Sequence, residues 1–91
     1  MRLRWTVPAA ADLDSVKRYL DLHYPQRSES TIRSIYQRIL QLKQFPRRGS
    51  EGRRVGTREL KLTPLPYVVV YMLRKEAVEI LHIHHGSQDR S

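Results

Sequence analysis

The segment YVVVYML, residues 67–73, constrains the fold of this chain more than any other stretch. It is apolar at consecutive positions and rich in β-branched and aromatic residues. Such a run suits a central strand, covered and flanked by neighbours, better than an edge strand with one wet face. Tyr67 and Tyr71 fall on one face of it and are expected to pack in the core. After a short turn, RKE, the run AVEILHIHH at 77–85 supplies the next strand, and so short a connection makes the two an antiparallel hairpin. Upstream, RELKL at 58–62 alternates, with Leu60 and Leu62 on one face, and TPLP turns the chain between it and the central strand.

The first half of the chain has a different period. RLRWTV at 2–7 reads as a short strand, and Thr6 and Pro8 punctuate it. Beyond it Ala9, Leu13, Val16, Leu20 and His23 recur at steps of four and three, which is one face of an amphipathic helix ending near Tyr24-Pro25. Ile32, Ile35, Ile39 and Leu42 repeat that spacing in a second helix, about Arg27 to Gln44, with Tyr36 and Leu40 widening the stripe. A connection of a few residues folds the helices into an antiparallel hairpin, and Pro46, Gly49 and Gly52 break the second one. The expected fold is α+β: an N-terminal strand and a helical hairpin packed on one face of a small, mostly antiparallel sheet, with the other face partly open. Ninety-one residues, 1–91, suffice for a single domain.

Composition narrows the functions. The chain has no cysteine, so disulfides and thiolate chemistry are excluded and a reducing compartment is expected. Neither the start, MRLRWTVPAA, nor any later segment has the apolar length of a signal peptide or a membrane span, which points to the cytoplasm. Seventeen Lys and Arg against nine Asp and Glu leave a net charge of +8. That exceeds what solubility asks of a small domain and favours a polyanionic or acidic partner.

Five arginines concentrate in RRGSEGRRVGTR: Arg47, Arg48, Arg53, Arg54 and Arg58. They form a candidate phosphate- or carboxylate-binding patch, set against the alternative of a solvated loop, and they do not choose among RNA, DNA and an acidic protein. His82 and His84, two apart on a strand, share a face, but no motif supplies a third ligand at a metal-binding spacing, so neither a metal nor another cofactor is expected. His85 points to the opposite side, beside Leu81 and Ile83. It is either an acid–base candidate or a hydrogen-bonded strand-end histidine. A Ser87–His85–Asp89 triad is not expected of neighbours in a tail, and no nucleotide-binding loop or nucleophile elbow is present.

These motifs in this order resemble the RelE/ParE superfamily of type II toxin–antitoxin systems. The resemblance is carried by WTVPAAADLDSVKRYL, FPRRGSEGRRVGTRELKL, PYVVVYML and VEILHIHHGSQD, nearly the whole chain. It implies the same α+β fold and a cognate antitoxin as partner. RelE-like members are ribosome-dependent messenger-RNA endoribonucleases, and ParE-like members poison DNA gyrase. In the ribonuclease branch the third-last strand carries alternating cations, and an arginine near the start of the central strand stabilises phosphate. Here Glu59 precedes Lys61, and Val68 follows Tyr67. Losing such a cation removes about 3 kcal/mol of transition-state stabilisation. The resemblance is therefore closer to the ParE branch, with GTREL, PYVVVY and HGSQD as its marks. In the ribonuclease alternative, acting on messenger RNA at the ribosome, Lys61, His85 and Arg90 would be the catalytic candidates. Arg90 stands where the ParE pattern often has an aromatic. An acidic, amphipathic antitoxin segment that folds on binding suits so basic a domain.

Overall fold

The computed structural model describes residues 1–86. Its elements run β1 (Arg2–Trp5), α1 (Val7–His23), α2 (Pro25–Leu40), a 3-10 turn (Gln41–Lys43), β2 (Ser50–Glu51), β3 (Thr57–Lys61), β4 (Tyr67–Leu73) and β5 (Ala77–His85). The five strands form one sheet in the order β1-β5-β4-β3-β2. Only the β1–β5 pair is parallel; the others are antiparallel. The YVVVYML segment is the middle strand, as its composition requires.

Local chemistry explains where the helices start. Thr6 ends β1 because its hydroxyl caps α1, accepting the Ala9 N–H at 3.2 Å. The same hydroxyl donates to the Ile80 carbonyl at 2.7 Å, so one side chain starts the helix and ties it to β5. Pro8 lies in the first turn, where a missing N–H costs nothing. The first helix therefore begins earlier than its apolar stripe, and β1 is shorter than the alternating run. The second helix starts at Pro25, in its own first turn, and tightens into a 3-10 turn after Leu40. Lys17 bonds Asp21 at 2.8 Å, and the buried Ser28 donates to the same carboxylate, which staples the hairpin near its turn.

The hairpin covers one face of the sheet. Ile35, Ile39 and Leu42 pack there on Leu60, Leu62, Val69, Tyr71, Val78, Ile80 and Ile83. Tyr71 is wholly buried, and its hydroxyl is satisfied on both sides: it donates to the Pro46 carbonyl at 2.7 Å and accepts the Gly49 N–H at 2.9 Å. Gly49 has no room for a side chain, since a Cβ there would lie 2.7 Å from the Glu59 carbonyl oxygen and 2.8 Å from the Tyr71 hydroxyl. Tyr67 is buried as well, which matches the core role read for both tyrosines. Burial raises its phenol pKa, and the neighbouring Tyr19 adds to the shift.

Three expectations are corrected. Tyr36, Leu40 and His23 do not enter the core: the first two are exposed, with Tyr36 stacked on Trp5 at 6.2 Å, and His23 lies against Tyr19 on the surface. The loop after α2 contains a two-residue strand, Ser50–Glu51. The alternation of β5 is interrupted: Val70 pairs with His82 but Tyr71 with Ile80, so Leu81 is an extra, bulged residue. Ile80 and Ile83 consequently share the covered side, and Leu81 turns to the other.

Candidate functional site

The uncovered face of the sheet holds a concavity of about 1100 Å³. Strand register assembles it in rows. Lys61, Val68 and His84 stand side by side on β3, β4 and β5, and Glu59, Val70 and His82 form the next row. The floor is aliphatic, from Val68, Val70 and Leu81. Arg53 and Arg54 form one wall, from the loop between β2 and β3.

That loop is built rather than slack. The Gly52 N–H donates to the Thr57 carbonyl at 2.8 Å, and the Thr57 hydroxyl donates to the Arg54 carbonyl at 2.8 Å. Gly56 adopts φ +86°, a conformation that favours glycine. The Arg53 N–H donates to the Glu59 carboxylate at 3.3 Å. Among the described residues, the guanidinium groups of Arg53 and Arg54 and the Lys61 ammonium have no ion-pair or hydrogen-bond partner within the chain.

The run of five arginines is divided between two sides of the molecule. Arg53 and Arg54 reach the concavity. Arg58 pairs with Tyr71 on the covered side, and its guanidinium donates to the carbonyls of Arg47, at 3.0 Å, and Gly49. Arg48 lies 4.7 Å from the Phe45 ring centre and donates to Gln41 at 2.9 Å. Arg47 is exposed on the same loop. Arg58 and Arg48 thus fasten the loop after α2, a role their spacing did not reveal.

The ribonuclease candidates do not converge either. Lys61 lines the concavity, whereas His85 pairs with Tyr67 across the sheet and meets its ring edge-on at 5.8 Å, beside a separate groove of about 400 Å³ against α1. Arg90 lies outside the described residues, as do Ser87 and Asp89. The histidine sharing a face with Lys61 is His84. Apolar–polar alternation alone does not decide which histidine this is, because the bulge at Leu81 has no signature in it.

Two imidazoles are oriented by their neighbours. His82 Nδ1 lies 3.2 Å from the Asp12 carboxylate, and His84 Nδ1 lies 3.1 Å from the His85 carbonyl oxygen. Both partners only accept, so Nδ1 carries the proton in each neutral ring and Nε2 is left as the acceptor. The described residues contain no group of three His, Cys, Asp or Glu side chains placed to hold a metal ion. Asp12 also accepts the Ile83 N–H at 2.9 Å, which satisfies the edge of β5 beyond the last β1 pair.

With this geometry in view, the relatives are informative. The description "ParE toxin of type II toxin-antitoxin system, parDE" matches residues 3–90, and the chain belongs to that family. A protein of Sinorhizobium fredii named "Putative toxin Y4kP" is 33% identical over 87 residues, covering 96% of this chain and 90% of that one. The chromosomal ParDE toxin–antitoxin system of P. aeruginosa contains a chain that superposes with a TM-score of 0.85 at 26% identity, covering 93% of this chain and 95% of its own. A copper-bound mutant toxin from Helicobacter pylori shares the fold, with a TM-score of 0.63 at 17% identity over 96% of both chains. The protein is thus a ParE-like type II toxin with the α+β architecture read from its sequence, and its family implies an antitoxin partner. Among the described residues no helix is long and apolar enough to cross a membrane.

Proposed function

We propose that this toxin acts in the cytoplasm by poisoning DNA gyrase, arresting growth through stalled cleavage complexes, and that an acidic, amphipathic segment of its antitoxin neutralises it. The observation that carries the reading is the centre of the open face. Val68 and Val70 stand there, with Glu59 beside Lys61. An aliphatic floor cannot compensate the charge that grows on a phosphate during RNA cleavage. It suits contact with protein. Arg53 and Arg54 then serve as anchors for acidic groups rather than as catalysts.

For the antitoxin, a second groove of about 440 Å³ runs between the helices, lined by Trp5, Leu13, Ile32 and Tyr36 with Asp14 and Lys17 at its edge. An amphipathic segment could bury its apolar side there, and the net charge of +8 favours an acidic one. The test is a gyrase supercoiling and DNA-cleavage assay run beside translation-coupled cleavage of messenger RNA on ribosomes. Accumulated cleaved DNA without RNA cleavage is the expected result. No effect on gyrase at stoichiometric toxin would end the gyrase reading, and codon-positioned RNA cleavage would replace it with the ribonuclease one.

A further inference from the structure

We infer that the open face of the sheet is the surface that recognises the toxin's target, and that it takes an extended, acidic and aliphatic segment of a protein rather than nucleic acid. The inference rests on the reading of this chain as a toxin that acts on a protein, and it names the chemistry of the site's partner.

Three features of the face select that partner. Its cations are gathered and have no partner among the described residues: Arg53, Arg54 and Lys61 line the concavity, whereas most other described cations are held by carbonyl or amide oxygens, as Arg38, Arg48 and Arg58 are, or sit within 4 Å of carboxylates, as Arg4, Lys17 and Arg74 do, and the remaining unpaired ones do not line it. Its floor is aliphatic, from Val68, Val70 and Leu81. It has no Phe, Tyr or Trp ring, since Tyr67 and Tyr71 of the same strand lie on the covered side, and its two imidazoles, His82 and His84, are each tied at Nδ1 to an oxygen. A sheet that binds single-stranded nucleic acid stacks bases on broad aromatic side chains, and this one offers only two small imidazoles over a mainly aliphatic floor. A duplex backbone would meet the cations but leave the valine floor without an apolar partner. An extended peptide meets both, because its side chains alternate: aliphatic groups settle on the floor and carboxylates reach the rim. The target, and not the antitoxin, is the occupant because the interhelical groove at Trp5 and Tyr36 offers an amphipathic antitoxin a separate seat.

The test compares three variants. Arg53→Glu with Arg54→Glu reverses the rim. Arg27→Glu with Lys75→Glu makes the same change in net charge at exposed positions that do not line the concavity. Val70→Lys adds a cation while removing part of the apolar floor. Each is induced in cells to find the toxin level that arrests growth, and each purified protein is checked for folding by thermal melting and for antitoxin affinity. Rim reversal is expected to raise the level needed for arrest by about tenfold or more, since desolvated charge pairs are the sensitive ones. The control reversal leaves it unchanged, and antitoxin binding survives in both. Val70→Lys is expected to weaken the toxin despite its extra charge.

A rim-reversed variant that still arrests growth overturns the inference. So does a stronger Val70→Lys toxin, or wild-type binding to bare DNA or RNA that rim reversal abolishes, because both would point to a nucleic acid. Antitoxin affinity lost in step with toxicity would assign the face to the antitoxin and overturn it too. If arrest follows the rim while purified gyrase is unaffected, the gyrase reading falls and the inference stands for another protein target. A wild-type chain that never arrests growth removes both.

Discussion

The two faces of one sheet are made from the same three strands, yet they do different work. On the covered face every large side chain of β3–β5 meets an apolar or hydrogen-bonding partner, down to the two bonds of the Tyr71 hydroxyl. On the open face the residues one position along differ: Lys61 and His84 flank a nearly buried Val68 and line the concavity. The period of two in a strand lets one sequence encode both, a core on one set of alternate positions and a recognition surface on the other. Stability should therefore be concentrated on one side and function on the other.

The largest expected effect tests that division directly. Ile39→Ala, in the covered core, should destabilise by about 2–5 kcal/mol in urea unfolding, whereas Val70→Ala, part-exposed on the open face, should cost less than about 1.5 kcal/mol. Comparable losses would break the contrast. Next comes Tyr71→Phe, which keeps the ring but strands the Gly49 N–H and the Pro46 carbonyl; a loss of about 1–3 kcal/mol is expected from the same measurement. Reversing Arg53 and Arg54 to Glu should change unfolding free energy by no more than about 0.5 kcal/mol per site, because neither guanidinium is bonded to another described residue. A large loss there would mean that the rim supports the loop after all.

The smallest effect is on the hairpin. The Lys17 ammonium, and then the Ser28 hydroxyl, hold the Asp21 carboxyl below its ordinary value of 3.8. A depressed carboxyl adds stability that is full above the unfolded value and disappears as pH falls through the folded one. Asp21→Asn should therefore narrow the difference in melting temperature between neutral and acid solution. The carboxylate is exposed, so salt should weaken the contribution.

Much of this architecture was legible beforehand. The limits of β4 and β5 follow from their composition, and both helices follow from the three-and-four spacing of Leu13, Val16 and Leu20 and of Ile32, Ile35 and Ile39. Other features left no trace in the pattern. Four residues of β1 carry too little information to fix a parallel register with β5. The extra residue at Leu81 changes which histidine joins Lys61, and an alternating hydropathy run cannot announce a bulge made of leucine. The arginine cluster was visible as charge, but its division between Arg53 and Arg54 on one side and Arg58 on the other depends on the strand beginning at Thr57. Asp12 escaped notice because its partner, the Ile83 N–H, lies 71 positions away.

The pairing of β1 with β5 also has a consequence for the order in which the chain is made. Arg2–Trp5 leave the ribosome well before their partners, Ala77–Ile80, and Thr6 waits for the Ile80 carbonyl to complete its bonds. Contacts between such distant segments form late. A chain halted before β5 would present β4, apolar on both sides, with one neighbour missing and an open edge. Interrupted synthesis should therefore yield substrates for proteases rather than partly active poison, so that toxicity arrives only with the last strand.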